Sequence, residues 1–243
     1  MSDHTALKIS GILEQCSDEE RKALFKALRA THQIHELEAV FGAPAEVILE
    51  AIHKAPELTR RMLRGVIADA AFAQFTIPIL AEHGWRDVTP PGNFTYDHMV
   101  DDGKGPISIQ VKLQRSKKQT HEITTGKNHG ITRPHIFVVE TQKTRGGTKK
   151  GTDGAEEDTR PYRYGDFDVL AVSLQPSGKP WTAFRYTVGS WLLAGEHPNT
   201  IATFQPVSIS ADDDWTDDFA EVARWFRSNI KKTIANKPKD LLG

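Results

Sequence analysis

The chain has 243 residues, 38% of them hydrophobic and 26% charged, with a formal net charge of −1. That is enough apolar material for a packed core, and it excludes a disordered, collagenous or disulfide-stapled class. The single cysteine, Cys16, rules out an internal disulfide and points to a reducing compartment, so a cytoplasmic protein is expected.

Residues 1 to about 83 read as helical. Met1 to Lys8 lacks the basic-then-apolar pattern of a secretory signal. Ser17-Asp18-Glu19-Glu20 has the form of a capping box, and Leu24, Phe25 and Leu28 fall on one face of the helix that follows. Pro44 stands where a helix can begin, with Val47, Ile48 and Ile52 as its apolar side. A longer helix is expected from Glu57 to Glu82, bent at Pro78 and ended at Gly84. Its apolar stretch, Gly65 to Ala81, is interrupted by Asp69 and Gln74, which argues against a membrane span.

The texture changes at the turn cluster Pro90-Pro91-Gly92-Asn93. Phe94 to Val100 predicts a strand, Asp101 to Gly105 a hairpin turn, and Ile107 to Leu113 the returning strand. His135 to Glu140 is a further short strand. Thr141 to Arg160, rich in glycine, threonine and charge, reads as an exposed mobile loop. Asp168 to Leu174 and Thr182 to Val188 read as two more strands, and Asp217 to Ile230 as an amphipathic helix. The tryptophans at 181, 191, 215 and 225 read as core. The order predicts an α/β (α+β) fold: a helical N-terminal region, residues 1–60, suited to dimerisation or DNA contact, and residues 61–243 built on a central mixed sheet flanked by helices.

Charge is unevenly spread. Lys112, Arg115, Lys117, Lys118, Lys127, Arg133, Lys143, Arg145, Lys149 and Lys150 face only Glu122 and Glu140 over the same segment. A basic block inside a neutral protein is the footprint of a polyanion, or else a solvated loop face. No phosphate loop occurs, so no nucleotide cofactor is expected, and no cysteine pair or His-Glu-x-x-His offers a zinc site.

The chemistry concentrates on the hairpin. Gln110 and Lys112, two apart on one strand, share a face, while Ile109 and Val111 turn to the core. Folding the hairpin brings Asp97 beside them. His98 takes the opposite face, where a structural role is expected. A carboxylate can hold a hard divalent cation, and a lysine can orient or deprotonate a water or offset charge growing on a phosphate. A solvated ribbon with an Asp97–Lys112 salt bridge is the plain alternative.

With Asp97 followed by Gln110-Val111-Lys112, the chain resembles the PD-(D/E)XK nuclease superfamily, and within it the type II restriction endonucleases. The resemblance covers about residues 65–190. It implies a mixed-sheet core, Mg2+, site-specific cleavage of double-stranded DNA and a homodimer. Asp97 matches the family's aspartate and Lys112 its lysine. Gln110 departs, because the family places Glu or Asp there, so a further carboxylate is needed from Asp69 or Glu122. Asp69 is favoured, since a helix before the hairpin commonly supplies one. Asp97, Asp69 and Gln110 are then the expected metal ligands. Arg115, Lys117 and Lys118 are expected on phosphates, and Gln119, Asn128, Arg145 and Lys149 on bases or backbone. A repair or junction nuclease of the same fold, and a DNA-binding module that has lost catalysis through Gln110, stay open.

Overall fold

The computed structural model describes residues 3–32, 35–117, 120–124, 129–143, 148–150 and 156–236. The chain divides into two compact units, Met1–Arg61 and Met62–Gly243.

The first unit carries α1 (Asp3–Gln15), α2 (Asp18–Thr31), α3 (Leu37–Phe41), α4 (Ala45–Lys54) and the start of α5 (Glu57–Ala71). Ser17 closes the expected capping box: Glu20 N–H donates to its hydroxyl, and Ser17 N–H donates to the Glu20 carboxylate at 2.8 Å. Gly42, at φ 59°, stops α3, and Arg29 pairs with Glu46 between α2 and α4.

In the second unit α5 runs into a π-helical turn, Phe72–Thr76, and then α6 (Ile77–Glu82). The irregularity expected at Pro78 takes the form of this π-helical turn, just before the proline. Pro78 has no N–H to give, and its ring crowds the carbonyl four residues back, so the wider turn absorbs the mismatch. Trp85 N–H donates to Leu80 O and Gly84 N–H to Ala81 O, the paired bonds of a Schellman stop with Gly84 at φ 87°. By length and composition alone the helix Glu57–Glu82 is apolar enough to cross a membrane. Its Ala68, Phe72, Thr76 and Leu80 are buried at an i, i+4 spacing, which makes this face the cover of a sheet.

That sheet has five strands in the order β1 (Arg86–Asp87), β2 (His98–Asp101), β3 (Ile107–Leu113), β9 (Val169–Ser173) and β10 (Phe184–Val188). Only the β3–β9 pair is parallel, so the sheet is mixed as expected. Its crossover holds β4 (Ser116–Lys117), β5 (Thr120–His121), β6 (Phe137–Glu140), β7 (Thr148–Lys150) and β8 (Glu156–Asp158). β6 forms a second, two-stranded sheet with β11 (Phe204–Val207). All of Val169–Ser173 and Phe184–Val188 are buried, as strands covered on both faces must be. Trp191 and Trp215 are core, and Trp181 and Trp225 pack against it. Part of the expected loop 141–160 is ordered as the β7–β8 pair.

Two anchors hold the hairpin in place. Asp168 accepts from both the N–H and the hydroxyl of Ser108 at 2.8 Å, tying β3 to the entrance of β9. Arg227, in the last turn of α7 (Phe219–Arg227), forks onto Asp102 at 2.7 and 2.9 Å and reaches Gly105 O, clamping the turn between β2 and β3. The expected strand from Phe94 is shorter, starting at His98. Phe94 and Tyr96 stack on each other at 5.3 Å, and Thr95 donates to Asp166 O, so this arm is held by side chains and not by a ladder.

Candidate active site

The register His98↔Ile109 places Asp97 opposite Gln110, and Asp97 N–H donates to Ile109 O at 2.9 Å. The Asp97 carboxylate then accepts from Val111 N–H at 2.8 Å and from Gln110 Nε2, both on the same oxygen. Gln110 is buried, and its Nε2 also donates to Val111 O. Two acceptors fix the amide's orientation: nitrogen inward between Asp97 and Val111, with Oε1 outside this pair of bonds.

Lys112 does not salt-bridge to Asp97. Its Nζ donates to Gln142 O at 3.1 Å and to the Tyr162 hydroxyl at 3.2 Å, and it lies 5.0 Å from the centre of the Tyr162 ring. The ribbon with an Asp97–Lys112 pair is thus not what forms. Burial pushes the Asp97 carboxyl up, the Val111 N–H opposes this, and the Asp69 charge adds to the rise. Burial pulls the Lys112 ammonium down, against the attraction of Asp97, Glu140 and Asp69. Burial thus shifts both an acid and a base of one hairpin toward their neutral forms.

Asp69 reaches this neighbourhood from α5. Its Oδ1 lies 2.8 Å from His98 Nε2, while the His98 ring stacks on Phe72 of the π-helical turn at 5.2 Å. Burial lowers His98, but the Asp69 hydrogen bond and the surrounding carboxylates outweigh it, and the imidazole ends above its ordinary value. His98 does occupy the face opposite Gln110, as expected, yet it is the direct partner of Asp69.

Glu122 and Arg115 belong to a different group. Arg115 donates to Glu122 and to Glu140, both at 2.7 Å, and lies over the Phe204 ring, while His129 Nε2 is 3.1 Å from the other Glu122 oxygen. Glu122 is thus engaged away from the hairpin carboxylate. Arg115, expected on a phosphate, is occupied by two carboxylates. Lys117 lies on β4 and Lys149 on β7. Lys118, Gln119, Asn128 and Arg145 lie outside the described residues.

The sequence reading missed Tyr162. It is buried, its hydroxyl is pushed far up by burial, and its ring also faces Lys143, which pairs with Asp166 at 3.0 Å. Fifty residues from Lys112, it offers no spacing signal; only the fold puts it there.

Among the described residues no three His, Cys, Asp or Glu side chains gather into a group that could hold a metal by themselves. No family model matches the chain, and no curated protein matches it. Among solved structures, a bacterial homing endonuclease, I-Ssp6803I, is similar at 20% identity over 53% of this chain and 69% of that one, with a TM-score of 0.32. A likeness of that size says nothing about activity in this chain.

Proposed function

We propose that Met62–Gly243 is a Mg2+-dependent nuclease that hydrolyses phosphodiester bonds in double-stranded DNA at specific sites, in the manner of a type II restriction endonuclease. The observation that carries this reading is the desolvated Asp97–Gln110–Lys112 hairpin, with the second carboxylate of Asp69 close enough to raise Asp97.

The donor set fits a hard cation in a specific sense. Asp97 is a half-buried carboxylate whose charged form is disfavoured by burial and further opposed by Asp69, a condition that a divalent ion relieves. Asp97 would hold it, Asp69 would have to leave His98 Nε2 to join, and Gln110 would present Oε1 in place of Nε2. Two carboxylates and an amide leave the remaining positions to water and phosphate oxygens, which is how Mg2+ is usually held. The ion would supply charge for the phosphoryl oxygens. Lys112 has two hydrogen-bond partners, Gln142 O and Tyr162, so its position is fixed. A neutral Lys112 amine using both N–H groups there keeps its lone pair for the proton of an attacking water. In the charged form, its third N–H offsets charge on the phosphate.

One observation favours a second reading. The Gln110–Asp97 hydrogen bond satisfies the site without a cation, as a DNA-binding module that has lost catalysis would require. Incubation with phage or plasmid DNA, Mg2+ and a chelator control separates the two. Discrete fragments that vanish with chelator, and vanish in Asp97→Ala with DNA retention preserved, support the nuclease. Gel retardation without any cutting in the wild type rejects it.

A further inference from the structure

Lys112 stands on β3 and Asp97 just before β2, yet what fixes the amine lies elsewhere in the chain. A lysine stem is long and flexible, so the backbone of β3 does not by itself place Nζ. Two neutral oxygens do: the carbonyl of Gln142 and the hydroxyl of Tyr162, 3.1 and 3.2 Å away. The Gln142–Pro161 bridge and the bond from Lys143 N–H to Arg160 O join these two segments to each other. Neither bond ties them to the arm Phe94–Asp97, which delivers the carboxylate.

Asp166 makes that connection, with a contact in each of the three segments. Its backbone oxygen accepts from the Thr95 hydroxyl at 2.7 Å, two residues before Asp97. Its Oδ2 accepts from Arg163 N–H at 3.0 Å, next to Tyr162, and its own N–H donates back to Arg163 O. The same Oδ2 lies 3.0 Å from Lys143 Nζ, next to Gln142. This ion pair is shielded, at 18% exposure for Asp166 and 27% for Lys143, which sets it apart from a loose surface pair. Lys143 also faces the Tyr162 ring at 5.2 Å, the ring that Lys112 faces at 5.0 Å. One carboxylate thus serves the turn beside Tyr162 and the strand beside Gln142, while its backbone holds the arm of Asp97.

We infer that Asp166 is a positioning residue: by joining the Thr95–Asp97 arm to the segments of Gln142 and Tyr162, it sets where the Lys112 amine stands relative to the Asp97 carboxylate. It acts through Lys143 and the Arg163 turn and touches neither reacting group. The consequence for cleavage rests on the nuclease reading, whereas the placement of Lys112 does not.

Two variants of the full-length protein test it. Asp166→Asn keeps an oxygen for Arg163 N–H and loses the charge that holds Lys143; Lys143→Met keeps the stem on the Tyr162 ring and loses the ammonium. The first readout is the rate at which an amine-reactive reagent labels Lys112, measured by peptide mass spectrometry against the exposed Lys104. Loosening the cradle should open the buried amine, so labelling should rise about tenfold in each variant, and the double variant should add little to either. The second readout is DNA cleavage, where kcat should fall about tenfold at unchanged KM. Labelling at the wild-type rate in both variants overturns the inference, even if their thermal midpoints drop, because Asp166 is then a turn residue only. An unchanged kcat in both variants of a cutting enzyme overturns it as well. A wild type that never cuts, with labelling raised in both variants, overturns the nuclease reading and upholds the positioning role.

Discussion

Two charged groups lie along the same stretch of β3 and its exit, and they are treated in opposite ways. At Arg115, charge meets charge: one guanidinium serves two carboxylates, and His129 takes the remaining oxygen of Glu122. At Asp97 and Lys112, only a few residues earlier, an acid and a base are both desolvated and neither is given a counter-ion in contact. The first arrangement holds β4, β5 and β6 together. The second is held by hydrogen bonds to neutral groups alone, and desolvated charges without a counter-ion are commonly kept at functional sites. The difference teaches that the density of basic residues in a segment is a poor guide to which of them are available for a ligand.

Substitution should separate the two groups. The largest effect is expected at Lys112→Ala, which should lower the cleavage rate by roughly 10²–10³ while DNA retention changes little; a rate unchanged per folded molecule would merge the hairpin with the structural network. Arg115→Ala should do the reverse. It leaves Glu122 and Glu140 without their cation and should cost about 2 kcal/mol of stability, read by denaturant unfolding, with little change in the rate of the folded fraction. Tyr162→Phe keeps the ring beneath Lys112 and removes the hydroxyl, so a fall of about tenfold in kcat is expected at unchanged KM and a nearly unchanged midpoint. A change confined to the midpoint would make Tyr162 a core residue only.

Smaller effects sharpen the electrostatics. Burial holds the Asp97 carboxyl above its ordinary value, so protons should compete with Mg2+ for it at a higher pH than an ordinary aspartate would set, read as the Mg2+ concentration needed for cleavage against pH. His98 is held up by Asp69, and the sign is fixed by the pair. Its contribution to stability is fully present below the unfolded-state value and is lost as pH rises through the higher folded-state value. Asp69→Asn removes the largest support and leaves Asp97 and Asp87 against burial, so the imidazole should move down from its wild-type value, a shift visible by NMR titration. An unmoved His98 would detach Asp69 from this face of the sheet.

Much of the scaffold was legible in the sequence because its signals are local. The capping box at Ser17, the glycine stop at Gly84, the Asp101–Gly105 turn and the strand Ile107–Leu113 are all set within a few residues. The pairing of Asp97 with Gln110 was legible for the same reason, since a hairpin brings near neighbours together. Elements whose shape depends on distant contacts were read less well. The arm at Phe94–Asp97 is shaped by Thr95 reaching Asp166, and the bend near Pro78 is resolved as a π turn that aims Phe72 at His98 and Phe184.

What the sequence determined by itself was the order of elements, the hairpin and the residues that share its face, because backbone periodicity and turn chemistry act over short separations. What only the tertiary structure decided was the state of each charge: Glu122 spent on Arg115, Asp69 set against His98, and Lys112 handed to Gln142 and Tyr162. Partner choice and desolvation depend on which distant segments fold over a group, and chain order does not encode that locally.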